Sequence, residues 1–188
     1  MDARNGRKAR PPLDQDALER LALRYVGRFA TTRAKLRTYL GRKLRERGWN
    51  GNREADVEGI VERFAGLGYV DDAAFALSKS RSLSARGYGA GRVGLALRAA
   101  GVGDADGAAA RDLAAEQAVD AALRFARKRR IGPFAAEKIA DPRQRERALS
   151  AMIRAGHAFA LAKSILDLAP GTALNPDDLF DESRTDID

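Results

Sequence analysis

Apolar residues recur along most of the chain at spacings of three and four, the period of an α-helix with one buried face. Leu36, Leu40 and Leu44 form one such row behind Thr31-Thr32, and either threonine can cap the helix that carries it. No stretch alternates with period two over β-branched residues, so the pattern predicts helices and no sheet. The helix ends share one device. Gly48 follows Leu44 by four and precedes Trp49, and Gly68 stands in the same way between Phe64 and Tyr69. Gly87 lies between Leu83 and Tyr88, Gly101 between Leu97 and Val102, and Gly156 between Met152 and His157. A glycine flanked in this way predicts a Schellman C-cap, with glycine left-handed and the flanking pair in contact. Asp71 is placed to cap the helix after Gly68, with Val70 and Phe75 as a hydrophobic staple. Residues 103–107 and 138–142 read as loops.

The glycines also reveal repetition. Aligned on Gly48, Gly101 and Gly156, the chain shows Leu44, Leu97 and Met152 four earlier, Val57, Ala110 and Ile165 nine later, and Ile60, Leu113 and Leu168 twelve later. Ala22-Leu23-Arg24-Tyr25 recurs as Ala122-Leu123-Arg124-Phe125. A period of about fifty residues predicts a tandem architecture. The expected fold is therefore all-α: three tandem three-helix repeats, at about 14–69, 70–115 and 116–170, stacked into an elongated, curved, solenoid-like array. Residues 1–13 read as a disordered basic tail, with Arg4, Arg7, Lys8 and Arg10. Residues 171–188 read as a disordered acidic tail, with Asp177, Asp178, Asp181, Glu182, Asp186 and Asp188.

Charge changes the picture next. The formal net charge of this 188-residue chain is +8. The acidic tail offsets part of the positive charge of the body, so the body is more basic than that figure. Such a balance points to a polyanionic partner, either nucleic acid or an acidic protein surface. The absence of cysteine excludes disulfides, zinc-thiolate sites and thiol catalysis. The basic N-terminus lacks the apolar core of a secretory signal, and no apolar run approaches the roughly 20 residues that span a bilayer. The expectation is a cytoplasmic protein with no membrane partner.

Candidate chemistry is sparse. His157 is the single histidine and reads as a packed residue, since one imidazole without a second His or a Cys makes no usual zinc site. Asp71-Asp72 could be drawn as a carboxylate pair for a metal, but capping accounts for Asp71 more simply. Gly87-Tyr88-Gly89-Ala90-Gly91 resembles a phosphate loop superficially. It lacks the Gly-Lys-Ser/Thr ending and follows no strand, so a helix cap is preferred. No catalytic, cofactor-binding, metal or small-molecule site is expected. The basic residues are the candidate contacts: Arg33, Arg37, Arg42 and Lys43 on one helix, Arg81, Arg86, Arg92 and Arg98 in the middle, and Arg127, Lys128, Arg129 and Arg130 further on. A solvated arginine-rich face is the plain alternative for each. Tyr88 and Trp49 could stack on nucleobases, although both sit where a cap contact would bury them. Arg81, Arg86, Tyr88 and Arg92 form the preferred patch.

Gly68-Tyr69-Val70-Asp71-Asp72-Ala73-Ala74-Phe75-Ala76 resembles the G-Y-[LVI]-D-D-x-x-[FY]-A segment of the RecX family of regulatory proteins. Ser80-Arg81 follows, and Arg86-Gly87-Tyr88-Gly89-Ala90-Gly91-Arg92-Val93 is similar to the family's K/R-G-x-G-P-x-R-I. Thr32-Arg33-Ala34-Lys35-Leu36 resembles its S-R-x-E-L, ahead of Arg47-Gly48-Trp49. The likeness runs from about residue 17 to 167. Ala90 replaces the family's usual proline and Lys35 its usual glutamate, which removes a capping-box partner. The resemblance implies a protein that binds along the groove of the RecA recombinase filament on DNA and inhibits strand exchange, ATP hydrolysis and filament extension, with weaker contact to single- or double-stranded DNA. A basic helical-repeat protein acting mainly on DNA phosphates is the alternative.

Overall fold

The computed structural model describes residues 11–173; most of each expected tail lies outside them. The described residues form nine α-helices, one short 3₁₀ turn and no extended strand. The chain divides into two compact units, 1–72 and 73–188.

In the first unit, α1 (Gln15–Val26), α2 (Arg33–Arg47) and α3 (Val57–Gly66) each start on a side-chain cap. Asp14 accepts from the amide of Ala17 at 2.7 Å, Thr32 from Lys35 at 3.2 Å and Asp56 from Gly59 at 2.8 Å. Each bond satisfies an amide that a helix start leaves orphaned. Of the two candidate threonines, Thr32 is therefore the cap of α2; Thr31 is buried beside it. The α2 start has a second support that sequence spacing does not reveal. Buried Asp72, 39 residues away, accepts the amide of Arg33 at 2.9 Å. Leu18, Ala22, Leu36, Leu40, Ile60, Val61 and Phe64 fill the core, joined by Leu13. Leu13 was placed in the basic tail from sequence, yet it is fully buried. Its amide donates to Gly48 at 2.9 Å and its carbonyl accepts from Asn50 at 2.8 Å. That pairing explains why Gly48 departs from the expected cap. Gly48 is left-handed in φ at 79°, but its ψ of 171° sends the chain away extended to meet Leu13, so no Schellman turn closes.

The second unit contains α4 (Asp72–Ala85, its first residue contributed by the preceding unit), α5 (Ala90–Ala99), α6 (Asp104–Glu116), α7 (Ala118–Arg129), α8 (Pro142–Arg154) and α9 (Phe159–Asp167). It holds two separate cores. Ala76, Leu83, Val93, Leu97, Ala110 and Ala114 make one from α4 to α6. Val119, Ala122, Ala126, Met152, Leu161, Ala162 and Ile165 make the other from α7 to α9. Gly68, Gly87, Gly101 and Gly156 all close Schellman turns with φ between 71° and 93°. In each, the residue after glycine donates five residues back, as from Tyr88 to Leu83 at 3.0 Å and from His157 to Met152 at 3.2 Å. A further Schellman turn ends α7 without glycine: Arg130 takes φ 53° and Ile131 donates to Ala126 at 2.9 Å. Two expected loops shrink. Gly103 caps α6, which already includes Gly107, and Pro142 opens α8 behind its cap Asp141.

Candidate functional site

The cations of α2 are largely engaged within the protein. Arg37 forms an ion pair with Glu58, with Nε donating to the carboxylate at 2.7 Å. This hydrogen bond holds the Glu58 carboxyl below its ordinary range and raises Arg37 further. Arg42 and Lys43 share Glu46 and flank the ring of Tyr39 at 5.7 and 5.8 Å. Tyr39 stacks on Tyr25 at 4.2 Å. Arg33 sits in the first turn of α2, part-buried, with its amide on Asp72. Trp49 packs on the first core and donates Nε1–H to the Arg53 carbonyl at 2.6 Å, so it serves the fold.

In the second unit the 87–91 segment is built as a joint. Gly87 ends α4 and Gly89 precedes α5. The amide of Gly89 donates to the Ala155 carbonyl at 2.9 Å and that of Gly91 to Gly156 at 3.0 Å. The turn between α4 and α5 is thus bonded to the turn between α8 and α9, which links the two cores. A phosphate loop needs such amides free, and these two are occupied. His157, 5% exposed, bridges the same joint. Its Nε2 lies 3.1 Å from the Gly87 carbonyl. A carbonyl only accepts, so the proton sits on Nε2, and Nδ1 is buried without a partner among the described residues. Burial pushes the imidazole pKa down, partly opposed by the Gly87 hydrogen bond. The ring meets Phe125 edge-on at 5.5 Å.

Around this joint the structure brings together three of the four residues of the preferred patch. The guanidinium groups of Arg86 and Arg92 lie 5.3 and 6.0 Å from the ring of half-buried Tyr88, a cation-π arrangement. Arg81 and Arg98 are exposed on α4 and α5, and no aromatic contact joins them to that cluster among the described residues. The run at the end of α7 splits. Arg127 lies over Phe134 at 4.8 Å, Arg129 over Phe125 at 5.7 Å, Lys128 is exposed, and Arg130 is exposed with its backbone forming the left-handed cap. Sequence reasoning missed Arg143, Arg147 and Arg154, which line an open groove along α8 with Glu146 and Ser150. The spacing of four and eleven from Arg143, with Ser150 at seven, was the available signal. Among the described residues, no three His, Cys, Asp or Glu side chains are grouped to hold a metal. Nor is any helix long and apolar enough to cross a membrane.

These features define a class: a protein all-helical over its described residues, with several arginines set beside aromatic rings. No family model matches the chain. It is 35% identical over 161 residues to the regulatory protein RecX of Myxococcus xanthus (strain DK1622), covering 81% of this chain and 86% of that protein. The crystal structure of RecX from Lactobacillus salivarius superposes with a TM-score of 0.59 at 19% identity, over 81% of this chain and 96% of that one. A second crystal structure of regulatory protein RecX gives 0.57 at 22% identity, over 81% and 70%. The chain belongs to the RecX family of regulatory proteins.

Proposed function

We propose that this protein binds the RecA recombinase filament on DNA and lowers its activity by occupying it, restraining strand exchange, ATP hydrolysis and filament extension without catalysing a reaction of its own. The observation that carries the reading is the recurrence of cation-flanked aromatics. Arg42 and Lys43 stand by Tyr39, Arg86 and Arg92 by Tyr88, and Arg127 and Arg129 by Phe134 and Phe125. One such cluster falls on each consecutive set of three helices. Membership of the RecX family supports the choice of partner. In this reading the three sets are copies of one unit, extended along the filament so that one chain meets several protomers, and the setting is the cytoplasm. The test is RecA ATPase on single-stranded DNA, titrated with this protein. Inhibition at well below one chain per RecA, at concentrations where bare DNA is not bound, is the expected result. The basic surface favours one other reading, a DNA-binding module with phosphate contact as its main activity. No ATPase effect at any ratio, with tight and strongly salt-dependent binding to bare DNA, would establish it in place of the first.

A further inference from the structure

We infer that the exposed face of α8 is a contact site for nucleic-acid phosphates, which deepens the DNA side of the proposed function and rests on it. Arg143, Arg147, Ser150 and Arg154 fall at i, i+4, i+7 and i+11, within about 60° of one another around the helix at 3.6 residues per turn. They share an open groove with Glu146, and the three arginines are exposed.

Their electrostatic state differs from that of the helix-borne arginines held in ion pairs. Arg37, Arg42, Arg63, Arg111, Arg124 and Arg145 each pair with a carboxylate. Arg145 lies on the same helix but turns to Asp167. Among the described residues, Arg143, Arg147 and Arg154 enter no ion pair, and Glu146 is the only acid lining their groove. Three uncompensated guanidinium groups along about 16 Å of helix axis form a line of positive charge.

The lining also selects the kind of polyanion. It consists of arginine, glutamate and serine, with no apolar side chain. A protein partner would favour an apolar centre to the contact. A phosphate backbone requires cations and hydroxyl donors in a row, and Arg and Ser are donors of that kind. A duplex presents about five phosphates per strand over 16 Å, at roughly 3.4 Å each along the axis, so three can be met without distortion.

The experiment uses the full chain and a fluorescein-labelled oligothymidine, with binding followed by anisotropy between 50 and 250 mM NaCl. Arg143→Ala, Arg147→Ala and Arg154→Ala are combined, and folding is checked by circular dichroism. A control of equal charge loss combines Arg20→Ala, Arg53→Ala and Lys163→Ala. For three lost phosphate contacts on a single strand, the slope of log affinity against log salt should become shallower by about 2. Affinity at 100 mM should fall more than tenfold in the α8 variant and less than threefold in the control. An unchanged slope in the folded variant, or an equal loss in the control, overturns the inference. So does a variant that loses RecA-filament binding while keeping its bare-DNA affinity, which would make the occupant an acidic protein face. ATPase inhibition is read separately: if it persists while the slope is unchanged, the α8 site fails and the proposed function stands.

Discussion

The joint between the 87–91 segment and the α8–α9 turn makes a sharp prediction for Gly89→Ala. Gly89 has φ −79° and ψ 172°, an ordinary extended conformation that alanine adopts without strain. Judged on backbone alone, alanine would stabilise the protein by about 0.4–1 kcal/mol through the unfolded state. The surroundings reverse the sign. A Cβ on Gly89 would lie 2.3 Å from the Gly156 carbonyl oxygen, 2.5 Å from its carbon and 2.7 Å from the His157 nitrogen. All three are backbone atoms, so the two turns must part by about 1 Å to reach ordinary contact.

Parting lengthens the Gly89–Ala155 and Gly91–Gly156 hydrogen bonds, worth about 1 kcal/mol each. Strain of the overpacking kind adds about 1–3 kcal/mol. Less the unfolded-state gain, the expected loss is therefore about 2–5 kcal/mol. Gly68→Ala is the reference, since φ there is 74° and no atom lies within 4 Å of the added Cβ. It isolates the left-handed backbone cost, about 1–2 kcal/mol. Gly91→Ala should fall between neutral and mild, because its Cβ would meet the Gly156 oxygen at 3.2 Å. Urea denaturation at pH 7.5 and 25 °C, followed by far-UV circular dichroism, ranks the three. A Gly89→Ala protein as stable as wild type, or more stable than Gly68→Ala, would refute the joint.

Three further outcomes are expected. His157 has a native pKa held below its unfolded value by burial, so the unfolded chain binds a proton that the native one refuses, and stability should fall as pH drops below about 6.5 toward the native pKa; the urea midpoint of His157→Gln, compared with wild type between pH 7.5 and 5, should lack that component, and parallel profiles would refute it. Arg130→Gly should raise stability by up to about 1 kcal/mol, because glycine takes φ 53° without the Cβ penalty, and a lower midpoint in thermal denaturation would contradict the cap assignment. Deleting residues 174–188, which carry the six acidic residues of the tail, should tighten binding to an oligonucleotide at low salt if the tail competes for the basic face, whereas unchanged anisotropy curves would count against competition.

The fold was more legible than the surface because its signals are local. Most Schellman turns are advertised by one glycine and two apolar residues within six positions, so Gly68, Gly87, Gly101 and Gly156 could be read in advance. Gly48 misled because its fate depends on Leu13, 35 residues upstream in the chain, and Arg130 was missed because that turn lacks the glycine that advertises it. Thr32 could be narrowed only to a pair, since both threonines have the hydroxyl and only the fold buries Thr31 away from the amide. Asp72 illustrates the general limit. Its neighbour Asp71 stands in the cap position by sequence, but the carboxylate of Asp72 serves a helix that starts at residue 33.

Charge is where a residue count and a structure diverge most. From sequence, the seven basic residues between 33 and 47 look like the strongest cationic helix. In the structure Arg37, Arg42 and Lys43 face Glu58 and Glu46, and the Arg47 guanidinium donates to the Pro11 carbonyl at 2.9 Å. Exposed pairs of this sort add little stability, of order 0–1 kcal/mol each. They do lower the field that α2 offers to a distant polyanion. On α8, Arg145 is engaged and Arg143, Arg147 and Arg154 are left facing one groove. The shorter row thus keeps three guanidinium groups together on one groove without an ion pair among the described residues, against a single acid, Glu146. The α8 face is thereby suited to act as an electrostatic anchor for a phosphate backbone, and the cation-flanked tyrosines are better suited to close contact after docking.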